Sequence, residues 1–349
     1  MTPVPSQPPA SGTPLATVSL GRRLRGRLFC LLSAVAALAF AAPVASGSPL
    51  DIRNTSPFAQ PFGLLAPHGR LTRGPRLLVD VAAVNSFSGS LSAAGDLARL
   101  DGETAVYRLG AAWPLGDRWE LAAELPLVVH SGGVFDGFIE EFHDLFGFPN
   151  GGRSSEAQDR LDYELIASGE TRLALTERSD GIGDLRLRAA RELFAGDAAT
   201  LVARAQLKLP TGASDALRGS GATDLAVGLE YYRSLSNRLL MSAAAAATWL
   251  GRGDLWSEEQ RRFVGQGHFG LALRLGRVVE FVGQLDAHSA LYDAGPAQLG
   301  DGALLGTLGG RLHLSDRVGV EIAVVEDLAG AAVSDVTFRV GMTITGRTR

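Results

Sequence analysis

A two-residue alternation of apolar and polar side chains, repeated in segment after segment, constrains this chain more than any other feature. The stretch "TLVARAQLKL" (residues 200–209) shows it. Leu201, Ala203, Ala205, Leu207 and Leu209 share one face, and Thr200, Arg204, Gln206 and Lys208 share the other, with Val202 the one apolar residue among them. A period of two marks a β-strand with an oily side and a polar side. Such segments are joined alternately by tight turns and by longer polar loops. The tight turns are "PLGD" (114–117), "AGDA" (195–198), "SLSN" (234–237), "GR" (276–277) and "SD" (315–316), where Gly, Asp, Asn and Ser supply hairpin backbone angles. The longer connections span 86–102, 130–183, 210–221, 251–263, 289–302 and 328–334. With a first strand near 76–85 and a last near 335–345, about twelve strands are expected, with every tight turn at one end.

Which face is inside separates two architectures. In a soluble sandwich the oily faces meet each other; in a transmembrane barrel they face lipid and the polar faces line a lumen. Several strands repeat charges on one side: Arg186 and Arg188, Arg204 and Lys208, Glu120 and Glu124, Glu280 and Asp286. Closing the sheet leaves no strand edge exposed to hydrocarbon. Trp113, Trp119, Phe194, Tyr231 and Tyr232 lie beside tight turns and Trp249 at a far strand end, the positions of two interfacial girdles. The expected fold is all-β: a transmembrane antiparallel up-and-down barrel of about twelve strands, with both termini in the periplasm.

The start of the chain agrees with export. Arg22, Arg23, Arg25 and Arg27 precede an apolar run over 28–42 and small residues near 44–48, the order of a secretory signal. Residues 1–46 are therefore read as a disordered start with a signal peptide, 47–75 as an irregular Pro- and Gly-rich periplasmic segment, 76–345 as the barrel, and 346–349 as a tail. The only cysteine of the 349 residues, Cys30, lies in the leader, so the exported part holds no disulfide or thiolate metal site. A formal charge of -4 with no basic stripe argues against nucleic acid.

Beyond the pattern, "DGETAVYRLG", "RWELAAELPLVVHSGGVFDGFIEEFHDLFGFPNGGR", "GIGDLRLRAARELF", "QLKLPTG", "LRGSGATDLAVGL", "EDLAG" and "DVTF" resemble a Gram-negative family, a domain of unknown function predicted to form an outer-membrane β-barrel. "GIGDLRL" with "KLPTG" is similar, more distantly, to barrels linked to phenol and aromatic-compound degradation. The resemblance implies fold and an outer-membrane location, and no reaction. The chain ends "TITGRTR", without the terminal aromatic by which many such barrels address the assembly machinery.

Two groups of residues are candidates for function. In the loop after His130, Phe135, Phe138, Ile139, Phe142, Leu145 and Phe146 follow helical spacing, with Asp136, Glu140, Glu141, His143 and Asp144 between them, which predicts a short amphipathic helix at the mouth, a constriction or a cap. Glu140, His143 and Asp144 share a face, but no second ligand cluster accompanies them, so no metal is expected. The second group is the expected lumen lining: Arg108, Arg186, Arg188, Arg204, Lys208, Arg274, Arg311 and Arg339, answered by Asp80, Glu120, Glu124, Asp184, Asp224, Glu230, Glu280, Asp286 and Glu321. Balanced signs indicate no strong ion selectivity.

The function expected is passive passage of small, apolar or aromatic solutes through a loop-constricted lumen, with no cofactor and no catalysis, in contact with outer-membrane lipid and dependent on the barrel-assembly machinery. The alternatives are an outer-membrane lipid hydrolase, for which His130, His268, His288 and His313 with Ser131 or Ser220 are the available groups, and a non-transporting structural or binding barrel.

Overall fold

The computed structural model describes residues 48–133, 159–332 and 336–346. The expected signal peptide, the segment expected to form a loop helix with Phe135, Asp136, Phe138, Glu140, Glu141, Phe142, His143 and Asp144, residues 333–335 and the last three residues lie outside them. The strands are β1 (Arg76–Leu91), β2 (Leu97–Leu115), β3 (Trp119–Ser131), β4 (Asp162–Ala167), β5 (Glu170–Leu175), β6 (Ser179–Ile182), β7 (Leu185–Ala195), β8 (Ala199–Leu209), β9 (Asp224–Ser234), β10 (Leu239–Trp249), β11 (Phe263–Leu275), β12 (Val279–His288), β13 (Ala303–His313), β14 (Val318–Ala329) and β15 (Val336–Thr345). All but β4, β5 and β6 form a closed antiparallel ring of twelve. The seam joins the first strand to the last, from Arg76 opposite Thr345 to Asn85 opposite Val336.

The period-two pattern sorts the side chains as the ring requires. Along β8 every second residue from Thr200 to Lys208 is buried. Outside, Leu109, Leu121, Leu125, Leu187, Val227, Leu229, Phe269, Phe281, Ile322 and Val340 are exposed, a lipid-facing surface. Trp113, Trp119 and Phe194 are exposed near the tight-turn end, and Trp249 and Phe263 near the other. Arg191 stacks over Trp119 and Arg262 over Trp249, at 5.2 and 5.6 Å from the ring centroids, so both girdles carry a cation. Tyr232 departs from the expected girdle. It points inward, fully buried, and its hydroxyl donates to Glu230 at 2.5 Å.

The connection expected over 86–102 is not a loop. β1 and β2 stay paired out to Leu91 and Leu97, with a five-residue turn between them. β4 adds to the extension along Leu97–Asp101, and β5 adds to β4. Small polar residues in "SFSGSLSAAGD" hide the strand because this part stands beyond the lipid-facing band and needs no oily face. Its inner side is apolar nonetheless: Ala98, Leu100, Tyr163, Leu165 and Leu173 pack with Leu217, Leu250, Leu291, Tyr292 and Leu299. That core closes over the mouth, with the one-turn helix α1 (Ala297–Gly300) contributing Leu299.

Candidate functional site

The residues between the leader and β1 are irregular, as their composition implies, but they are not outside the barrel. Residues 48–74 form a hairpin inserted into the lumen from the tight-turn end. On the way in, Leu50 exchanges both backbone hydrogen bonds with Gln284 of β12, at 2.9 and 3.1 Å. Asn54 then reaches His288 (2.9 Å) and the Ala332 carbonyl (2.7 Å). The tip, around Phe58 and Phe62, joins the apolar core at the mouth. On the way out, Gly63 N–H donates to Asp224 (2.8 Å), Leu65 exchanges two bonds with Gln266, Gly69 N–H donates to Tyr232, and Thr72 N–H donates to Glu120 (2.7 Å). Backbone groups that would be orphaned in a dry lumen are thus met by inward side chains. The fit is close: a Cβ on Gly63 would come within 2.8 Å of the Asp224 side chain.

Charge holds the hairpin as well as amides. Arg53 grips Glu124 with both terminal nitrogens, at 2.5 and 2.8 Å, and Arg186 and Arg188 donate to the same carboxylate at 3.3 and 3.1 Å. Asp51 accepts from Arg108 at 3.1 Å, and Arg108 also holds Asp80. Arg204 is bidentate to Glu230 and donates to the Gly69 carbonyl at 2.9 Å. Lys208, wholly buried, bonds Asp184, Ser220 and the Pro61 carbonyl and lies 3.1 Å from Asp224. On the far wall Arg339 joins Asp80 to Glu321, Arg311 joins Glu321 to Glu280, and Arg274 stands 3.9 Å from Glu280. Every charge expected to line the lumen is therefore inside, but mostly paired, and several pairs run between wall and hairpin. A buried charge stripped of its partner is costly, so the hairpin and the wall stabilise each other's ionisation.

His68 sits in this field. Its Nδ1–H donates to the Ala66 carbonyl at 2.6 Å, and Nε2 lies 3.1 Å from Asp51. Burial, followed by the charge of Arg188, lowers its pKa to about 4, against the attraction of Asp51. Burial pushes the Asp51 carboxyl up, but Arg53, His68 and Arg108 together hold it well below the usual carboxylate range. Asp51, His68 and Glu124 bring ligand atoms within 4.8 Å of one another. Arg53 and Arg108 on Asp51, with three guanidinium groups on Glu124, already supply the positive charge there, so the cluster is an ion-pair network and not a cation cage.

A lowered histidine pKa means that the docked hairpin excludes a proton which a released, solvated His68 binds. Docking is favoured above the ordinary pKa of 6.5 and weakens as pH falls from there toward about 4. The check is thiol accessibility of Thr55→Cys. Alkylation is expected to be faster at pH 5 than at pH 7.5 after correction for thiolate fraction, with the difference reduced in His68→Gln. Equal corrected rates would refute it.

Two small cavities lie between hairpin and wall among the described residues. One cavity of ≈ 40 Å³ lies between residues 64–67 and a wall of Gly228, Ala244, Ala246, His268 and Asp286; a second of ≈ 30 Å³ lies between residues 51–55 and Arg108, Arg186 and Arg339. Volumes of this order hold a few waters. The groups considered for lipid hydrolysis do not meet. His130 bonds Thr104 at 2.8 Å inside the barrel, Ser131 is the next residue on the strand and points to the other face, and Ser220 is bound by Lys208. Sequence reasoning missed the hairpin. Its signal was six large apolar residues, Leu50, Ile52, Phe58, Phe62, Leu64 and Leu65, in a stretch read as an irregular periplasmic segment.

Comparison with known proteins gives three findings. A family model described as "Protein of unknown function (DUF3187)" matches residues 27–345. No curated protein matches the chain. Among solved structures, the COG4313 outer membrane channel from Pseudomonas putida F1 is similar at a TM-score of 0.55 and 14% identity, over 79% of this chain and 97% of that one. The NanC porin follows at 0.46 and 10%, over 77% and 100%, and the P. putida toluene transporter TodX at 0.42 and 11%, over 88% and 96%. These neighbours are named as channels, porins or transporters, not enzymes. The fold is that of an outer-membrane barrel, with the tight turns on the periplasmic side.

Proposed function

We propose, for a chain that belongs to the DUF3187 family, a passive outer-membrane channel held shut by its own N-terminal hairpin. The observation that carries this reading is the polar docking of residues 48–74 inside a closed ring. A purely structural filler would be expected to seal the lumen with apolar packing, which needs no partner in water. Here the apolar contacts of Leu50, Ile52, Phe58 and Phe62 are joined by amides and ion pairs that water can replace one by one. The closed and open states therefore differ less in free energy than in a barrel with an oily core.

The wall facing the outgoing arm includes the small residues Gly228, Ala244 and Ala246. Withdrawal of the hairpin opens a passage beside them for small neutral solutes, moving down their gradient without covalent chemistry. The acidic amphipathic segment over 134–148 acts as a second constriction at the mouth. Lipid contacts the outward Leu, Val and Phe surface, and the barrel-assembly machinery handles the strands during biogenesis.

Planar-bilayer conductance of the refolded exported chain tests the reading. Glu124→Gln removes the charge that Arg53, Arg186 and Arg188 share, and is expected to convert a quiet barrel into one with frequent brief openings. A folded, heat-modifiable Glu124→Gln barrel as silent as the parent would count against hairpin gating. Deleting 134–148 in the Glu124→Gln background is expected to raise the step size.

A further inference from the structure

Three inward residues on neighbouring strands form a hydrogen-bonded chain that passive transport does not use. His268 of β11 places Nδ1 2.8 Å from Asp286 Oδ1 on β12, and its Nε2 lies 2.9 Å from Ser242 Oγ on β10. With the Nδ1 proton committed to the carboxylate, Nε2 carries the lone pair and accepts from the serine hydroxyl, whose other acceptor, the Gly270 carbonyl, is farther at 3.4 Å. The second oxygen of Asp286 accepts from Gln284 Nε2 at 2.8 Å, which fixes the carboxylate. Of the lumen carboxylates named above, Asp286 is the one whose ion-pair partner is a histidine and not an arginine or lysine. All four residues are buried.

The contact depends on a glycine. Gly270 lies opposite Ser242 on β10 and Gln284 on β12. A Cβ there would stand 2.8 Å from Ser242 Oγ and 3.2 Å from His268 Cε1. An inward glycine in mid-strand thus leaves room for the serine and the imidazole to meet. The cavity beside the outgoing arm is lined by His268 and Asp286 but not by Ser242, and Leu50 of the incoming arm is bonded to Gln284 behind them, so an ester reaches the serine only when the hairpin is withdrawn.

We propose that Ser242, His268 and Asp286 are a nucleophile, general base and orienting acid, and that this barrel hydrolyses small neutral carboxylic esters that enter its lumen. Ser242 Oγ attacks the ester carbonyl carbon as its proton passes to His268 Nε2. The carbonyl-to-alkoxy C–O bond breaks, and the same proton leaves on the alcohol. Water, deprotonated by His268, then cleaves the acyl-serine to release the acid. Asp286 holds the tautomer and stabilises the imidazolium without taking the proton. Lipids are not the substrate class, because Ser242 faces the lumen. The strand N–H groups beside Ser242 are engaged in the ladder, so backbone stabilisation of an oxyanion is weak and turnover is slow; covalent capture is the sensitive readout. This activity goes beyond the channel reading and is tested apart from conductance.

The refolded barrel, and Glu124→Gln to widen access, are exposed to a small alkynyl fluorophosphonate. Serine oxygen displaces fluoride at phosphorus, and the labelled peptide is mapped by mass spectrometry. Labelling is expected at Ser242, absent in Ser242→Ala, at least tenfold slower in His268→Gln, and slowed in Asp286→Asn. Release of nitrophenol from p-nitrophenyl acetate is expected to follow the same order. No label at Ser242 in either heat-modifiable barrel, or a label whose rate is unchanged in His268→Gln, overturns the proposal whether or not the barrel conducts.

Discussion

Removing residues 49–72 is expected to turn an electrically quiet barrel into one with stable, long-lived conductance steps. The deletion takes away Arg53, Asp51 and His68, the amide ladder to Gln284, Asp224, Gln266 and Glu120, and the tip residues Phe58 and Phe62. The ring does not depend on them for closure, since its seam is made by β1 and β15 alone. Glu124, Arg108, Arg186 and Lys208 lose partners but gain water, so the loss falls short of that for a charge left in a dry interior. A barrel of twelve strands lies between those filled by their own side chains and the open porins, so a measurable pore is the expected remainder. The readout is single-channel current in a planar bilayer, with heat-modifiability as the control for folding. A folded deletion variant that never conducts would show that other residues close the lumen, and the hairpin would lose its role as gate.

The second large effect lies on the opposite face of the wall. Leu229 sits at the middle of β9 and is half-exposed, pointing outward. Leu229→Arg places a guanidinium at the centre of the hydrocarbon, a cost of about 2–4 kcal/mol. Leu235→Arg, in the turn after the same strand and about as exposed, is expected to cost about 0–1 kcal/mol at the interface. Reversible folding into lipid vesicles against guanidinium chloride reads the difference. Equal costs at the two positions would contradict a lipid-facing assignment of this surface, because depth is the only physical distinction between them. Arginine at inward Arg204, on the neighbouring strand β8 but facing the lumen, is by contrast native and paired.

These two faces were legible in the sequence because alternation reports a surface that is uniformly oily on one side. Strand number, tight-turn placement and the inward position of Arg186, Arg204, Lys208 and Glu124 all follow from it. What alternation cannot report is how full the inside is. Polar inward residues look the same whether they meet water or a peptide. Val202 and Tyr232, apolar or aromatic yet inward, break the pattern where the incoming arm packs: both join Leu50 and Ile52 in one cluster. Inward Gly228, Ala244, Ala246, Gly270 and Gly309 carry the complementary sign. Small side chains around a narrow ring leave volume that something must occupy, and at Gly309 a Cβ would stand 2.8 Å from the Leu50 side chain. The extension of β1 and β2 was hidden for a different reason, since strand outside the lipid band has no obligation to alternate. The serine relay was hidden because Ser242, His268 and Asp286 lie on three strands, 44 positions from first to last, and converge only through register.

The first described residue, Ser48, lies beside Gly69 of the outgoing arm toward the tight-turn end, and the outgoing arm runs directly into β1, half of the seam. A loop that enters and leaves by one opening links nothing, so it can slip into a ring already closed and can be withdrawn without unzipping the wall. The order of events during assembly is therefore free: the wall can be completed as an empty vessel and stoppered afterwards. The seam must wait for the last strand to be delivered, nearly the whole length of the chain after the first. During that wait the hairpin is tethered beside the opening it will fill, so its capture is a short-range search and is expected to be fast once the ring exists.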